Sequence, residues 1–217
     1  MQRIVIFGAA GHAKVILDAA RLQGEYEVLG LVDRPGSTVP ALACPVIATD
    51  DDMPRLLKHV HSGVVAIGDN WARAKLVESI KSVAPDFQFV RVIHPSAVVA
   101  QDASVGEGSV VMAGAVINPG SHIGRHCIIN TNASVDHDNE IGDFASLAPG
   151  ATTGGHVKVG SFAAVGLNAA IIQRISIGEH TVIGAGATVL QDVPDHVVSF
   201  GTPARVVRTR RPGDNYL

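Results

Sequence analysis

From Ile93 to Val189 every sixth residue but one is aliphatic, in a single register. The series begins Ile93, Val99, Val105, Val111 and ends Ile171, Ile177, Ile183, Val189; of its seventeen positions only Thr153 is not Ile, Leu or Val. Four residues after each, the side chain is mostly small, as at Ala97, Ser109, Ser121, Cys127, Ala133, Ala145, Ala163, Thr181 and Ala187. A period of six in this chain matches neither a helix nor a heptad. It suits a parallel β-helix, in which each short strand turns one branched residue inward onto its counterpart a coil away. Gly recurs one residue after the aliphatic position, at Gly106, Gly124, Gly142, Gly154, Gly160, Gly166, Gly178 and Gly184. The expectation is that these glycines supply the positive φ that the corners of such a helix need. Thr153, followed by Gly154 and Gly155, interrupts the aliphatic series. It reads either as a close approach of backbone to a ligand or as a local bulge.

Composition agrees with a core of stacked aliphatics. The chain has 217 residues, 47% of them hydrophobic but only 4% aromatic. The net charge of −3 points to neither a nucleic acid nor a membrane as partner. Cys44 and Cys127 form neither a disulfide framework nor a metal motif. Cys127 falls on an inward small position, where a buried free thiol is expected. The opening apolar run, RIVIF before Gly8, is too short for a signal peptide or a membrane span. A cytoplasmic location follows as the default.

The first ninety residues carry a different pattern. Strands are expected at 3–7, 28–32, 46–47 and 63–67, and helices from Gly11 to about Arg21, over Asp50–Lys58 and over Trp71–Val83. Val15, Ile16, Ala19 and Leu22 are expected to form the apolar stripe of the first helix. Residues Phe87–Ile93 lead into the repeat. This alternation predicts a small parallel α/β domain resembling half of a Rossmann fold. Its first turn, GAAGHAK, lacks the full dinucleotide fingerprint, which argues against an NAD-dependent dehydrogenase. Gly8 permits a tight turn, and a helix starting at Gly11 offers free N–H groups to a phosphate, with Lys14 adding charge. A plain strand-to-helix turn is the alternative. The expected division is 1–92 for this domain, 93–193 for the β-helix and 194–217 for a tail.

The segments IGRHCI, IGDFAS, VGSFAA and IGAGAT carry the repeat of the hexapeptide-repeat acyltransferases, which this chain resembles. In that family three hexads make one coil of a left-handed triangular prism, so the repeat would form between five and six coils. A left-handed crossover runs against the general rule for parallel strands, and is taken from the resemblance alone. With GAAGHAK, Asp33, AIGDN, HPSA at 94–97, NTNASVDHD at 130–138 and GTPAR at 201–205, nearly the whole chain resembles bacterial sugar acyltransferases. These acetylate nucleotide-linked amino sugars for surface glycans, and sialic acid O-acetyltransferases share the architecture. The resemblance implies that Gly11, His12, Lys14, Asp33, Arg34, Gly68, Asp69 and Asn70 hold the nucleotide sugar.

Of ten histidines, His137 stands out in its setting VDHDNE. Two places after the inward Val135, it is expected on the outer surface near a corner. A neighbouring carboxylate fixes the tautomer of an imidazole and raises its basicity. The resemblance favours Asp138 over Asp136 in that role, with His137 as general base for direct transfer from acetyl-CoA. It implies acceptor contact at Asn130. It also implies acetyl-CoA contacts at Gly155, Gly166, Gly184, Pro203 and Arg205, in a groove between subunits of a homotrimer. Some relatives carry a second His nine residues on, where this chain has Ser146. Arg205, Arg208, Arg210 and Arg211 fit either CoA phosphates or a solvated basic tail. The expected activity is N-acetylation of a nucleotide-linked deoxy-amino sugar, with no metal. O-acetylation of sialic acid or a related sugar is the alternative, and a non-catalytic nucleotide-sugar scaffold a remote one. A zinc carbonic anhydrase built on His122, His126 and His137 is disfavoured, since nothing in their spacing indicates convergence on a metal.

Overall fold

A computed structural model describes residues 1–34 and 44–216. The N-terminal part holds β1 (Gln2–Phe7), α1 (Gly11–Gln23), β2 (Tyr26–Asp33), β3 (Val46–Thr49), α2 (Met53–Leu56), β4 (Ser62–Val65), α3 (Asn70–Val83) and β5 (Gln88–Phe89). Its strands form one parallel sheet in the order β3-β2-β1-β4-β5. Alternation along β1 sends Ile4 and Ile6 to one layer, with α1, and Val5 and Phe7 to the other, with Met53, Val77 and Ile80. In α1 the buried residues are Ala13, Ile16, Leu17, Ala19 and Ala20, whereas Val15 and Leu22 are exposed. The expected stripe is thus displaced. The helix is wedged between the sheet and the β-helix, and packs both with the arc centred on Leu17.

From Val92 the chain winds as a three-sided prism. Its first face carries Val92–Ile93, Val110–Val111, Ile128–Ile129, Ser146–Leu147, Ala164–Val165 and Val182–Ile183. The second runs from Val98–Val99 to Thr188–Val189, and the third from Ser104–Val105 to Ser176–Ile177. Strands pair in parallel with residues 18 apart, as Glu140 and Ile141 do with His122 and Ile123 across one coil. The aliphatic column and the small column both point inward and form one continuous core. Each fully buried Val or Ile contributes about 1.5–3 kcal/mol. Thr153 keeps register: it is buried between Val135 and Ile171, and its hydroxyl is 3.4 Å from the Ser134 carbonyl, so there is no bulge.

The corners differ from the expectation. Positive φ falls three residues after the aliphatic position, at Gly108, Gly114 and Gly120, but also at His126 (55°), Asn132 (56°) and Asp138 (57°). The glycines directly after the aliphatics serve close stacking instead. A Cβ on Gly142 would lie 2.6 Å from the Ser161 nitrogen of the next coil, and one on Gly160 2.5 Å from the Glu179 nitrogen.

At the corner between third and first faces, rings stack in a column: His126 on Phe144 at 4.9 Å, Phe144 on Phe162 at 5.2 Å, Phe162 on His180 at 4.5 Å and His180 on His196 at 5.1 Å. The α/β part covers this corner and the first face. Val110, Met112 and Ile128 join the α1 cluster, while Trp71 packs on Phe162 and Phe89 on His126. Arg73, 1% exposed, donates to the carbonyls of Ile67, Gly68, His126 and Phe144 and to Asn70 Oδ1. After Val189 the strand Val197–Gly201 continues the first face, and Ala204–Thr209 folds back against it.

Candidate active site

The corner between second and third faces carries Gly120, Asp138, His156 and Arg174 as its column of left-handed residues. His137 precedes this turn. Its Nδ1 lies 2.7 Å from Asp138 Oδ2, and both side chains are about half exposed (52% and 50%). The hydrogen bond to Asp138 holds the His137 imidazole above its ordinary pKa, aided by the charge of Asp136. The same bond holds the Asp138 carboxyl below its usual value. An ionised Asp138 accepts, so the proton sits on Nδ1 and Nε2 keeps its lone pair. Asp136 Oδ1 accepts from the His137 backbone N–H (2.8 Å) and from Asn118 Nδ2 (3.1 Å). The ring lies over Gly155 of the next coil, where an added Cβ would sit 2.5 Å from Cε1 and Nε2. Likewise a Cβ on Gly120 would meet Asp138 Oδ1 at 2.5 Å. Absent side chains above and below therefore make room for the dyad.

Two residues at this corner were not singled out from the sequence. His156 lies one coil beyond Asp138, with Nε2 3.7 Å from Asp138 Oδ2 and its ring edge-on to His137 at 5.2 Å. Its signal was the 18-residue coil, which stacks 156 on 138. Asn139 is wholly buried in the small column, where its neighbours in sequence register, Ala133 and Ala145, have no polar group. Its signal was being the one amide in that column. Among the described residues His137, Asp138 and His156 can bring metal-ligating atoms within 4.8 Å of one another. His122 and His126 are not part of that group. His126 is buried in the opposite corner's stack, where burial and then Arg73 push its pKa down to about 4.

The α/β sheet gathers its expected residues on the C-terminal rim. Gly8 (φ 113°) turns tightly under Ala66, and α1 opens at Gly11 with no side-chain cap and no acid in its first turn. Lys14 is exposed there. Half-buried His12 has a partnerless Nε2, and burial, then Arg73, push its pKa down to about 4. Asp33 ends β2 and accepts from the Arg34 N–H. Asp69 instead caps α3, accepting from the Ala72 N–H at 2.8 Å, and Gly68 offers its carbonyl to Arg73. Asn70, expected at the nucleotide sugar, serves as a strut within the protomer. It is 1% exposed, its Nδ2 donates to the Phe162 and Ala163 carbonyls, and its N–H donates to the Tyr216 hydroxyl.

Several other expected residues stand apart from His137 within one protomer. Asn130 lies at the corner between first and second faces, with Oδ1 accepting from the Thr131 N–H. Ser146 sits on the first face, between Ile128 of the α1 cluster and Ala164 beneath Tyr216. Gly184 is covered by Phe200, whose Cβ would be 2.6 Å from an added Cβ, so this glycine is closed within the protomer. Gly166 is needed for coil stacking, 2.7 Å from the Ala185 nitrogen on the same measure. Pro203 and Arg205 lie at the turn of the C-terminal hairpin, and Arg205 donates to the Ala204 carbonyl. Arg210 is no part of a solvated tail: it is buried and donates to the His180 and Asp214 carbonyls. Inward-facing Cys127 has its thiol pushed up to about 12 by burial, which leaves it inert.

Residues 3–80 match the family model described as the PglD N-terminal domain. The chain is 37% identical over 118 residues to the UDP-N-acetylbacillosamine N-acetyltransferase of Bacillus subtilis, a match spanning 52% of each protein, so about half that relative's length. Among solved structures, PerB from Caulobacter crescentus in complex with CoA and GDP-perosamine is 40% identical, with TM-score 0.89 over 96% of this chain and 98% of that one. The acetyltransferase domain of PglB from Neisseria gonorrhoeae in complex with acetyl coenzyme A is 34% identical, with TM-score 0.87 over 95% and 99%.

Proposed function

The chain belongs to the hexapeptide-repeat sugar N-acetyltransferases of the left-handed β-helix class, and from that membership we propose that it carries acetyl from acetyl-CoA to the amine of a nucleotide-linked deoxy-amino sugar. The observation that carries this reading is the His137–Asp138 pair, 2.7 Å apart on an exposed corner, which leaves Nε2 unengaged by Asp138. The neutral amine attacks the thioester carbonyl as Nε2 takes its proton. The C–N bond forms and the C–S bond breaks. The thiolate leaves and receives the proton held by the imidazolium, which Asp138 stabilises meanwhile. The Gly155 amide, on the coil against which the ring rests, is the candidate donor to the oxyanion. Buried Cys127 supports direct transfer rather than an acyl-enzyme.

For the nucleotide sugar we assign the rim at Gly11, His12, Lys14, Asp33 and Arg34. The uncapped start of α1 and the charge of Lys14 suit a diphosphate. In this reading residues 1–92 bind the nucleotide, 93–193 carry the base, and 194–217 complete the first face. The base lies on the edge opposite the face that the α/β part covers. Rim and base therefore belong to different sides of one protomer, which supports a homotrimer whose sites are shared between neighbours. Asn130, Ser146, Gly166, Pro203 and Arg205 would reach acceptor or acetyl-CoA only across such an interface. No helix of the described residues is long and apolar enough to cross a membrane. We assign the cytoplasm because both co-substrates of this reaction are made there.

The test is thiol release from acetyl-CoA against GDP- and UDP-linked 4-amino sugars, with free and CMP-linked sialic acid alongside. Turnover with a nucleotide amino sugar, lost in His137→Ala by roughly two or more orders of magnitude, is the expected result. Turnover with sialic acid alone, or His137→Ala at the wild-type rate, overturns the reading.

A further inference from the structure

We propose that Asn139, buried beneath the catalytic turn, is a positioning residue that locks His137 against the coil carrying Gly155; this rests on His137 being the base. Its Nδ2 donates to the carbonyls of Asp136 (2.7 Å), His137 (3.1 Å) and Gly154 (2.9 Å). One amide group thus spans Asp136, the dyad's own His137 and the residue before Gly155. Its backbone N–H donates to Ser121 Oγ at 3.1 Å, and that hydroxyl donates to the Asp136 carbonyl at 2.6 Å. Beneath this corner Asn139 and Ser121 thus form a small polar cluster in the interior of the prism.

Stability alone does not account for this residue. Asn139 Oδ1 is buried with no partner, an arrangement that disfavours the fold. Two of the three carbonyls have a second donor: Ser121 Oγ serves Asp136, and the His156 N–H serves His137 at 3.0 Å. Elsewhere in the column a hydroxyl suffices, as Ser109 Oγ does to the Gly124 carbonyl and Thr181 Oγ1 to the Pro194 carbonyl. At the same corner of the other coils the position is Ala103, Ser121, Val157 and Ile175. What the amide adds is reach: two N–H groups on one rigid plane can clamp the turn and the next coil together. A general base must be held within a fraction of an ångström of its proton, and a displacement of about 1 Å costs about a hundredfold in rate.

The matched comparison is Asn139→Ala, Asn139→Ser and Thr181→Ala in the full-length protein. Thr181→Ala removes an equivalent brace at another corner, and is expected to lower the melting temperature while leaving kcat within about twofold. Asn139→Ala is expected to melt no lower than Thr181→Ala yet to lose about 10- to 100-fold in kcat at unchanged KM, with Asn139→Ser in between. Histidine-selective 15N spectra give a readout independent of turnover: the neutral His137 ring should be the Nδ1–H tautomer in the wild type and a mixture in Asn139→Ala. Wild-type kcat in Asn139→Ala, or an unchanged His137 tautomer, overturns the proposal. If His137→Ala were active while the tautomer still responded to Asn139, positioning would stand and the assignment of the base would fail.

Discussion

At the scale of single residues, the electrostatics of His137 make the pH dependence predictable. Its pKa is raised from the ordinary 6.5, chiefly by the bond to Asp138. As the proposed base, His137 acts only when neutral, so kcat/KM should fall as pH drops through a value above the ordinary 6.5. In Asp138→Asn the inflection should move down, with kcat reduced about 10- to 100-fold; an unmoved inflection would separate Asp138 from the base. Gly155→Ala should reduce kcat while leaving the melting temperature nearly unchanged, because its Cβ would meet the imidazole rather than the backbone. His12 and His126 act in the opposite sense. Each has a folded pKa of about 4 from an ordinary 6.5, by burial. The unfolded chain therefore takes up these protons first, and stability should fall as pH drops from about 6.5 toward 4. Denaturant titrations across that window test this, and His126→Phe, a ring type already in the column, should flatten the loss.

At the scale of elements, the union of the two parts hangs on the start of α3. Among the described residues Arg73 has no carboxylate hydrogen-bond partner: it serves four carbonyls and Asn70 Oδ1 while fully buried, with a pKa lowered to about 10 by burial, so it stays charged. Arg73→Ala would leave those acceptors unmet and should cost more than about 3 kcal/mol. Thermal melting should show it, and a loss under about 1 kcal/mol would mean that water replaces the guanidinium. The ring column beside it joins coil to coil and receives Trp71 and Phe89 edge-on or tilted. Docking and coil stacking therefore share the same side chains.

At the scale of the whole molecule, the placement of base and rim on different sides of the protomer yields a complementation experiment. Lys14→Glu impairs the rim and His137→Ala removes the base. Refolded together, the two variants should recover up to roughly a quarter of the wild-type rate if the proposed trimer forms, the chance that a site draws an intact half from each neighbour. No recovery would mean that both halves of a site come from one chain.

The period of six was enough to give a parallel β-helix and its core, because inward stacking tolerates only branched or small side chains and so writes itself into every coil; three hexads to a coil came from the family resemblance. His137 with Asp138 was legible for a related reason, since adjacent residues at a corner must share surroundings. What the tertiary structure decided is what depends on neighbours a coil or a domain away. The glycines after each aliphatic are there for backbone contact, not for positive φ. Asn70 became a strut because α3 docks on Phe162. Ser146 lies on a face turned away from the base. Asn139 and His156 joined the site only once residues 18 apart were stacked, and a linear reading of the chain does not put them in contact.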